Sequence, residues 1–367
     1  MIKVFVIDDS AVVRQTMAAL LQGDPEIETV GSAPNPLIAA PLIRKNRPDV
    51  LLLDIEMPGM DGLTFLRQQM AESPIPTVIC SSLSTEGSRV ALDALAAGAV
   101  AVVAKPRLGL RQFLEDSRRE LITTLKTAAR SKPRLSRPPS GAGAMASASA
   151  GAGVGASTQA RMPSARQTSV AGLHALSVNK PIVIGSSTGG TQAIEQILRA
   201  LPADAPGIAI VQHMPERFTA MYAQRLDGLC AMQVREARDG DRLERGVVLI
   251  APGGKHMKLR KSAGQYYAVV LDGPPVNRHK PSVDVLFRSL AEATNGDALA
   301  LMLTGMGDDG ARGMKQLHDL GVRTVAQDEA SCVVFGMPME AIKLGAVDDV
   351  LPLELMADAI TRFDARG

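Results

Sequence analysis

Two groups of residues in this chain have types and spacing that chemistry could use. The first centres on IVIGSSTGG, residues 182–190. An apolar, β-branched run ends in Gly185-Ser186-Ser187-Thr188-Gly189, and a helix-like stretch follows. This is a G-x-S-x-G with Ser187 at its centre, in the strand–turn–helix setting of a nucleophile elbow. Glycines on both sides let the backbone turn sharply and let a substrate approach. The same pentapeptide also suits a phosphate-binding turn at a helix start, so by itself it leaves both readings open. His213 follows the next strand-like run in IAIVQHMPERF, and Asp308-Asp309 follow a later one in LALMLTGMGDDGARG. A serine nucleophile needs a base, and the base needs a group that fixes its tautomer. Ser187, His213 and one of the two aspartates meet that need if their strands are parallel and open on one sheet edge. Capping a helix near Gly310 is the commoner role for either aspartate alone. His174, His256, His279 and His318 compete for the role of base, and a loop at a strand's carboxyl end favours His213. The order Ser, His, Asp is not that of the α/β-hydrolases.

The second group is acidic. Asp8-Asp9 follow the first apolar run, Asp54 ends the third, Ser81 the fourth and Lys105 the fifth. In an open α/β sheet these carboxyl ends line one crevice. Three carboxylates crowded together repel unless a cation is present, and hard oxygen ligands suit Mg²⁺. Lys105 adds a point positive charge and Ser81 a hydroxyl. The set describes a carboxylate poised to accept a phosphoryl group. The structural alternative is that these aspartates serve turns and caps, with Asp9 or Ser10 capping a helix near Ala11.

Positioning these residues requires particular elements. Apolar runs at 3–7, 27–31, 50–54, 77–81 and 100–104 alternate with helical patterns, the rhythm of a parallel sheet with helices on both faces. Pro36 and Pro41 fall in the expected second helix, and Pro41 should kink or shorten it. Residues 130–178 are basic, rich in Ala, Gly, Ser and Pro, and lack acidic groups. Such a composition cannot bury enough surface to order itself and reads as a flexible linker. The α/β rhythm resumes with runs at 182–186, 207–212, 247–250, 298–303 and 322–326, with hairpin material over 255–271. The 367 residues suffice for two cores. The expected domains are 1–125, a linker over 126–178, and 179–367.

Composition excludes several classes. A net charge of +2, the absence of Trp and no helix-turn-helix pattern argue against nucleic-acid binding. Cys80, Cys230 and Cys332 are far apart in apolar settings and read as reduced core thiols. MIKVFVIDDS has no basic region before a long apolar stretch, and no run reaches membrane-spanning length, so a soluble cytoplasmic protein is expected.

The motifs IDDS, LLLDIEMPGMDG, SS and Lys105-Pro106 make residues 2 to 122 resemble the response-regulator receiver family. The resemblance implies a doubly wound, flavodoxin-like domain. Asp54 is then phosphorylated by a histidine kinase, with Mg²⁺ held by Asp9, Asp54 and the Glu56 carbonyl, assisted by Asp8. Ser81 and Lys105 support the phosphoryl site. The usual aromatic three residues before the lysine is Val102 here. The stretches GSSTGGTQAI, VQHMPERFT, VLIAPGGKHM, DGPPVNRHKPSVDVLF and LTGMGDDGARGM make residues 180–360 resemble the catalytic domain of the chemotaxis protein-glutamate methylesterases. That family implies a Rossmann-like α/β domain with a mainly parallel sheet and no cofactor. Ser187 is then the nucleophile, His213 the base and Asp309 its partner, with Thr188 beside the nucleophile and the Met306 amide as oxyanion donor. Asp308 stands where the family often has Asn. The implied activity is demethylation of glutamyl esters, and deamidation of glutamines, on chemoreceptors. It is switched on by receiver phosphorylation, and contact with the membrane comes only through those receptors. The rival is a phosphorylation-switched, non-catalytic or nucleotide-binding output module.

Overall fold

The computed structural model describes residues 1–57, 61–81, 85–105, 111–131 and 180–365. Expectations for 58–60, Ser82, Pro106, His174 and the linker over 132–178 lie outside the described residues. In the N-terminal half, strands and helices alternate as β1 (Ile2–Ile7), α1 (Ala11–Leu21), β2 (Ile27–Ala33), α2 (Pro36–Lys45) and β3 (Val50–Asp54). They continue as α3 (Gly62–Glu72), β4 (Thr77–Ser81), α4 (Thr85–Ala96), β5 (Ala101–Ala104) and α5 (Arg111–Ala129). The sheet order is β2-β1-β3-β4-β5, all parallel, the doubly wound arrangement expected. Alternate residues of β1 serve opposite faces. Phe5 and Ile7 join Ile43, Phe65 and Leu66, while Val4 and Val6 join Met17, Leu21, Leu121 and Leu125. The helix α5 runs to Ala129, past the expected boundary at 125.

Pro41 does not shorten α2, which continues to Lys45. The amide that Pro41 lacks would have bonded the carbonyl of Leu37 in the helix's first turn, and Pro41 and Leu37 are both exposed. Water can serve that carbonyl, so the loss is tolerated.

The C-terminal half opens with β6 (Ile182–Ser186), α6 (Gly190–Ala200), β7 (Ile208–Gln212), α7 (Glu216–Asp227), β8 (Gln233–Glu236) and β9 (Arg242–Leu243). Next come β10 (Val247–Ile250), β11 (His256–Ser262), β12 (Gln265–Leu271), α8 (Val283–Ala293) and β13 (Leu299–Met302). It closes with α9 (Ala311–Asp319), β14 (Arg323–Gln327), α10 (Met337–Lys343), β15 (Asp349–Leu351), a 3-10 turn and α11 (Met356–Ala365). The main sheet is parallel in the order β15-β14-β13-β6-β7-β10-β8, with a separate antiparallel sheet β11-β12-β9. Strands β8, β9 and β15 had no counterpart in the sequence reading. They are short and polar or mixed (QVRE, RL, DVL), and β8 and β15 lie at sheet edges.

Strand β6 leads to β7 on one side and later meets β13 on the other, so the order reverses at β6. Loops leaving such a point open a crevice at the carboxyl edge. Ile182 and Ile184 pack with Ile194, Ile197 and Leu198 of α6. Val183 faces the opposite side with Leu286, Phe287 and Leu290 of α8. Helix α8 therefore anchors the loops of that edge. Replacing the fully buried Phe287 with Ala should lower unfolding stability by about 3–5 kcal/mol, read by denaturant titration.

Candidate active site

Parallel pairing of β6 with β7 runs through Ser186 and Gln212, so Ser187 and His213 leave neighbouring strands at the same level. Asp309 follows β13, on the other side of β6. Two glycines shape the turn at Ser187. Gly189 has φ of +80°, and a Cβ there would stand 2.5 Å from Val333. A Cβ on Gly305 would come within 2.7 Å of the Ser187 Cβ. Gly185 plays a different part from the one its motif suggests, because it admits Val283 of α8 against β6, where a Cβ would lie 2.3 Å from Val283 Cγ1.

His213 and Asp309 come together. His213 Nε2 lies 2.8 Å from Asp309 Oδ2, and both side chains are nearly enclosed. Burial pushes the Asp309 carboxyl up. The His213 hydrogen bond and charge, with bonds from Asn277 and Ser282, outweigh it and hold the pKa at about 2. Asp309 is thus the acceptor and Nε2 carries the proton. Oδ1 accepts from Ser282 Oγ at 2.7 Å and Asn277 Nδ2 at 2.9 Å. The amides of Val283 and Asp284, at the start of α8, donate at 2.7 and 3.3 Å. The carboxylate therefore sits on a helix N-terminus, where orphan N–H groups favour negative charge. Asp308 is exposed.

His213 Nδ1 is buried and has no hydrogen-bond partner among the described residues. His279 stacks on the His213 ring, centroids 3.7 Å apart and planes 11° apart. Burial, and then the nearby His213 charge, push the His279 pKa down to about 4. Gln212 ties the turn to the base: its Nε2 donates to the carbonyls of Ser187 and His213 at 2.8 and 3.0 Å. Thr304 Oγ1 donates to the Thr188 carbonyl at 2.9 Å. Met306 lies on the partly exposed loop after Gly305. Sequence reasoning did not single out Gln212, Asn277 or Ser282. Their signal was only the presence of amide and hydroxyl side chains beside the residues that it named. His256 and His318 fall outside the cluster: His256 Nε2 pairs with the Pro274 carbonyl, and His318 pairs with Asp319 and Asp348.

In the N-terminal half, Asp8, Asp9 and Asp54 bring ligand oxygens within 4.8 Å of one another. Lys105 Nζ reaches Asp54 Oδ2 at 2.7 Å and Asp8 Oδ2 at 3.2 Å. Burial raises the Asp8 pKa, and Lys105 only partly offsets this. Burial lowers the Lys105 pKa, but bonding to Asp54 outweighs it and the net shift is upward. Asp54 Oδ1 accepts from the Glu56 amide at 3.0 Å, and Ser81 is buried at the end of β4. Three carboxylates facing one ammonium form an all-oxygen donor set with excess negative charge, which fits a hard divalent cation. Ser10, rather than Asp9, caps α1 by accepting from the Val13 amide.

The two halves lie in one compact unit. Arg225 of α7 bridges Asp93 of α4 and Glu195 of α6 at 3.0 and 3.4 Å. Gln192 Nε2 donates to the Leu95 carbonyl, and the Thr127 hydroxyl of α5 meets the Met306 thioether. Val333 packs against the cluster that holds Leu121, Leu125 and Ala128.

Comparison with known proteins gives the family. The family model for CheB methylesterase matches residues 182–360, and that for the response regulator receiver domain matches residues 4–115. A protein-glutamate methylesterase/protein-glutamine glutaminase of Dechloromonas aromatica is 53% identical over 362 residues, covering 99% of this chain and 98% of its own. The chain belongs to the CheB methylesterase family. A relative of the same designation from Chromobacterium violaceum is 52% identical, covering 97% of each chain. The solved CheB methylesterase catalytic domain of Thermotoga maritima is 37% identical, covering 50% of this chain and 98% of its own, with a TM-score of 0.49.

The depressed His279 pKa makes a testable link to stability. An unfolded histidine titrates near 6.5 and the folded one near 4, so the unfolded state binds more protons between these values. Stability is full above the unfolded value and falls as pH drops toward the folded one. Between about pH 8 and about pH 5 the parent protein should lose about 2 kcal/mol more stability than His279→Phe, read by denaturant unfolding at both pH values.

Proposed function

We propose that this CheB-family chain is a phosphorylation-activated esterase that hydrolyses γ-glutamyl methyl esters, and deamidates glutamines, on chemoreceptors. The observation that carries the reading is the buried His213–Asp309 pair at the sheet edge where the Ser187 turn emerges. The imidazole takes the Ser187 proton as the serine oxygen attacks the ester carbonyl. Nε2 is committed to Asp309, so Nδ1 is the nitrogen left to act as base. The Met306 amide receives the oxyanion, a role worth about 3–4 kcal/mol where such donors have been removed. The tetrahedral intermediate collapses, methanol leaves with the proton from His213, and water then releases the glutamate carboxylate. An amide substrate follows the same path with ammonia leaving. Negative charge buried at Asp309 opposes the alternative of a nucleotide phosphate at this edge.

Asp54 is the proposed phosphoryl acceptor, with a chemotaxis histidine kinase as donor. Asp8, Asp9 and Asp54, with the Glu56 carbonyl, would hold Mg²⁺, which when bound neutralises charge on the transferring group. Lys105 pairs with the acceptor carboxylate and Ser81 stands at the neighbouring strand end. Cytoplasmic placement fits the absence, among the described residues, of any helix long and apolar enough to cross a membrane. The contacts of α4 and α5 with α6, α7 and Met306 support restraint of the site by the unphosphorylated receiver.

Methanol release from methyl-labelled chemoreceptor membranes tests the reading. Ser187→Ala should abolish it, and Asp309→Asn should cut kcat by about 10³–10⁴-fold by freeing the wrong tautomer. Substantial release by the serine variant would refute the mechanism. Asp54→Asn should retain basal turnover and lose stimulation by a small phosphodonor with Mg²⁺. Arg225→Ala removes a partly exposed bridge of a kind worth about 0.2–1 kcal/mol, so unphosphorylated turnover should rise by about 1.4- to fivefold. An unchanged rate would count against Arg225 as part of the restraint.

A further inference from the structure

We propose that His279 is a positioning residue for the proposed hydrolysis: its ring, stacked on His213, locks the base in the orientation that leaves Nδ1 for the serine. The inference rests on the methylesterase reading of this site. A 180° turn of the His213 ring about its Cβ–Cγ bond would exchange Nδ1 with Cδ2 and Nε2 with Cε1. Both the bond to Asp309 and the basic nitrogen would then be lost. The Asp309 bond restrains one edge of the ring, and among the described residues Nδ1 has no partner on the other. The stacked ring of His279, 3.7 Å away and 11° from parallel, covers a face and blocks that rotation.

The backbone under His279 is built for this. Val276 and His279 exchange amide–carbonyl bonds at 3.0 and 2.9 Å, closing a two-residue turn. Its central residues, Asn277 and Arg278, both have positive φ, at 50° and 70°. Arginine is poorly suited to that region, and such strain persists where surrounding contacts over-determine the geometry. Those contacts are present. His256 Nε2 lies 3.0 Å from the Pro274 carbonyl, Lys280 Nζ donates to Asp272 and Gly273, and the Gly254 amide donates to the Lys280 carbonyl. Asn277 of the same turn donates to Asp309 at 2.9 Å and to Asp284 at 2.7 Å. One rigid turn thus sets both the carboxylate that holds Nε2 and the ring that covers the imidazole. A low pKa keeps His279 neutral near pH 7, so the imidazolium formed on His213 meets a π face rather than a second cation.

The test uses the full chain, with Ser187→Ala as control. Turnover of methyl-labelled receptor membranes is measured beside ¹⁵N imidazole NMR, which reports which His213 nitrogen carries the proton. His279→Ala should lower kcat by about 100-fold with KM changed less than about twofold, and should give mixed His213 signals. His279→Phe restores a flat ring and should return kcat to within about threefold of the parent, with a single Nε2–H form. Should the alanine variant fail to fold, His279→Leu fills the volume without a stackable ring and is read in the same way. Parent-like kcat and tautomer in the alanine or leucine variant would overturn the proposal. So would a phenylalanine variant as slow as the alanine one, since the loss would then belong to a polar contact. Hydrolysis that persists in Ser187→Ala would instead overturn the methylesterase reading, and the tautomer signals would still decide the role of His279.

Discussion

A carboxylate buried at the edge of an apolar sheet must be surrounded by donors, and the arrangement around Asp309 follows from that requirement. An unpaired charge there would cost several kcal/mol. Asp309 instead accepts from His213, Asn277, Ser282 and the first amides of α8. Those partners come from three stretches of chain, at 213, 277 and 282–284, so satisfying one charge fixes the positions of all three relative to the Asp309 loop. The core sets the same geometry from below. Leu286 and Phe287 seat α8 on the sheet, and the absence of a side chain at Gly185 lets Val283 approach β6 closely. The low Asp309 pKa and the tautomer of His213 are consequences of how α8 packs.

The N-terminal half solves a related problem with a different balance. Asp8, Asp9 and Asp54 are gathered by the carboxyl ends of β1 and β3, and Lys105 reaches two of them from the end of β5. Here the donors do not saturate the charge. Burial lifts the Asp8 pKa despite the ammonium, as expected of a cluster whose oxygens remain available to an added cation. One half therefore closes its carboxylate inside fixed donors, and the other keeps its carboxylates open. A fixed tautomer needs the first arrangement and a phosphoryl acceptor needs the second.

The central apolar strands were legible in the sequence because their continuous apolar runs are buried on both faces. Runs at 50–54, 77–81, 182–186 and 247–250 coincide with β3, β4, β6 and β10. The edge strands β8 and β15 were not legible, since half-exposed polar segments carry no continuous hydrophobic signal. At the site, the residues with distinctive chemistry stood out: Ser187, His213, Asp309, and the acidic set with Lys105. Asn277, Ser282 and Gln212 did not, because an amide or hydroxyl acquires its meaning from a partner distant in sequence. The stack of His279 on His213 joins positions separated by an entire sheet and hairpin. Spacing within a motif cannot report such a contact. The first glycine of the Ser187 motif carries the opposite lesson, since its position suits an elbow while its visible task is to admit Val283.

The contact between the halves combines apolar packing with solvent-screened polar links. Moving a two-state equilibrium from mostly closed to mostly open takes about 5.5 kcal/mol of differential stabilisation. A large, fully apolar interface would exceed what a single added phosphoryl group can offset. Here the polar links include Arg225 with Asp93, Gln192 with the Leu95 carbonyl, and Thr127 with Met306. Arg225 and Asp93 are each about a third exposed (29% and 40%), so solvent screens the pair and its net worth is about 0–1 kcal/mol. Helix α4, which carries Asp93 and Leu95, is the next element after β4 and its terminal Ser81. Strand β4 pairs with β3 up to Asp54 and Cys80, beside the proposed phosphoryl acceptor. Because solvent screens the Arg225–Asp93 link, breaking it would cost the proposed restraint little.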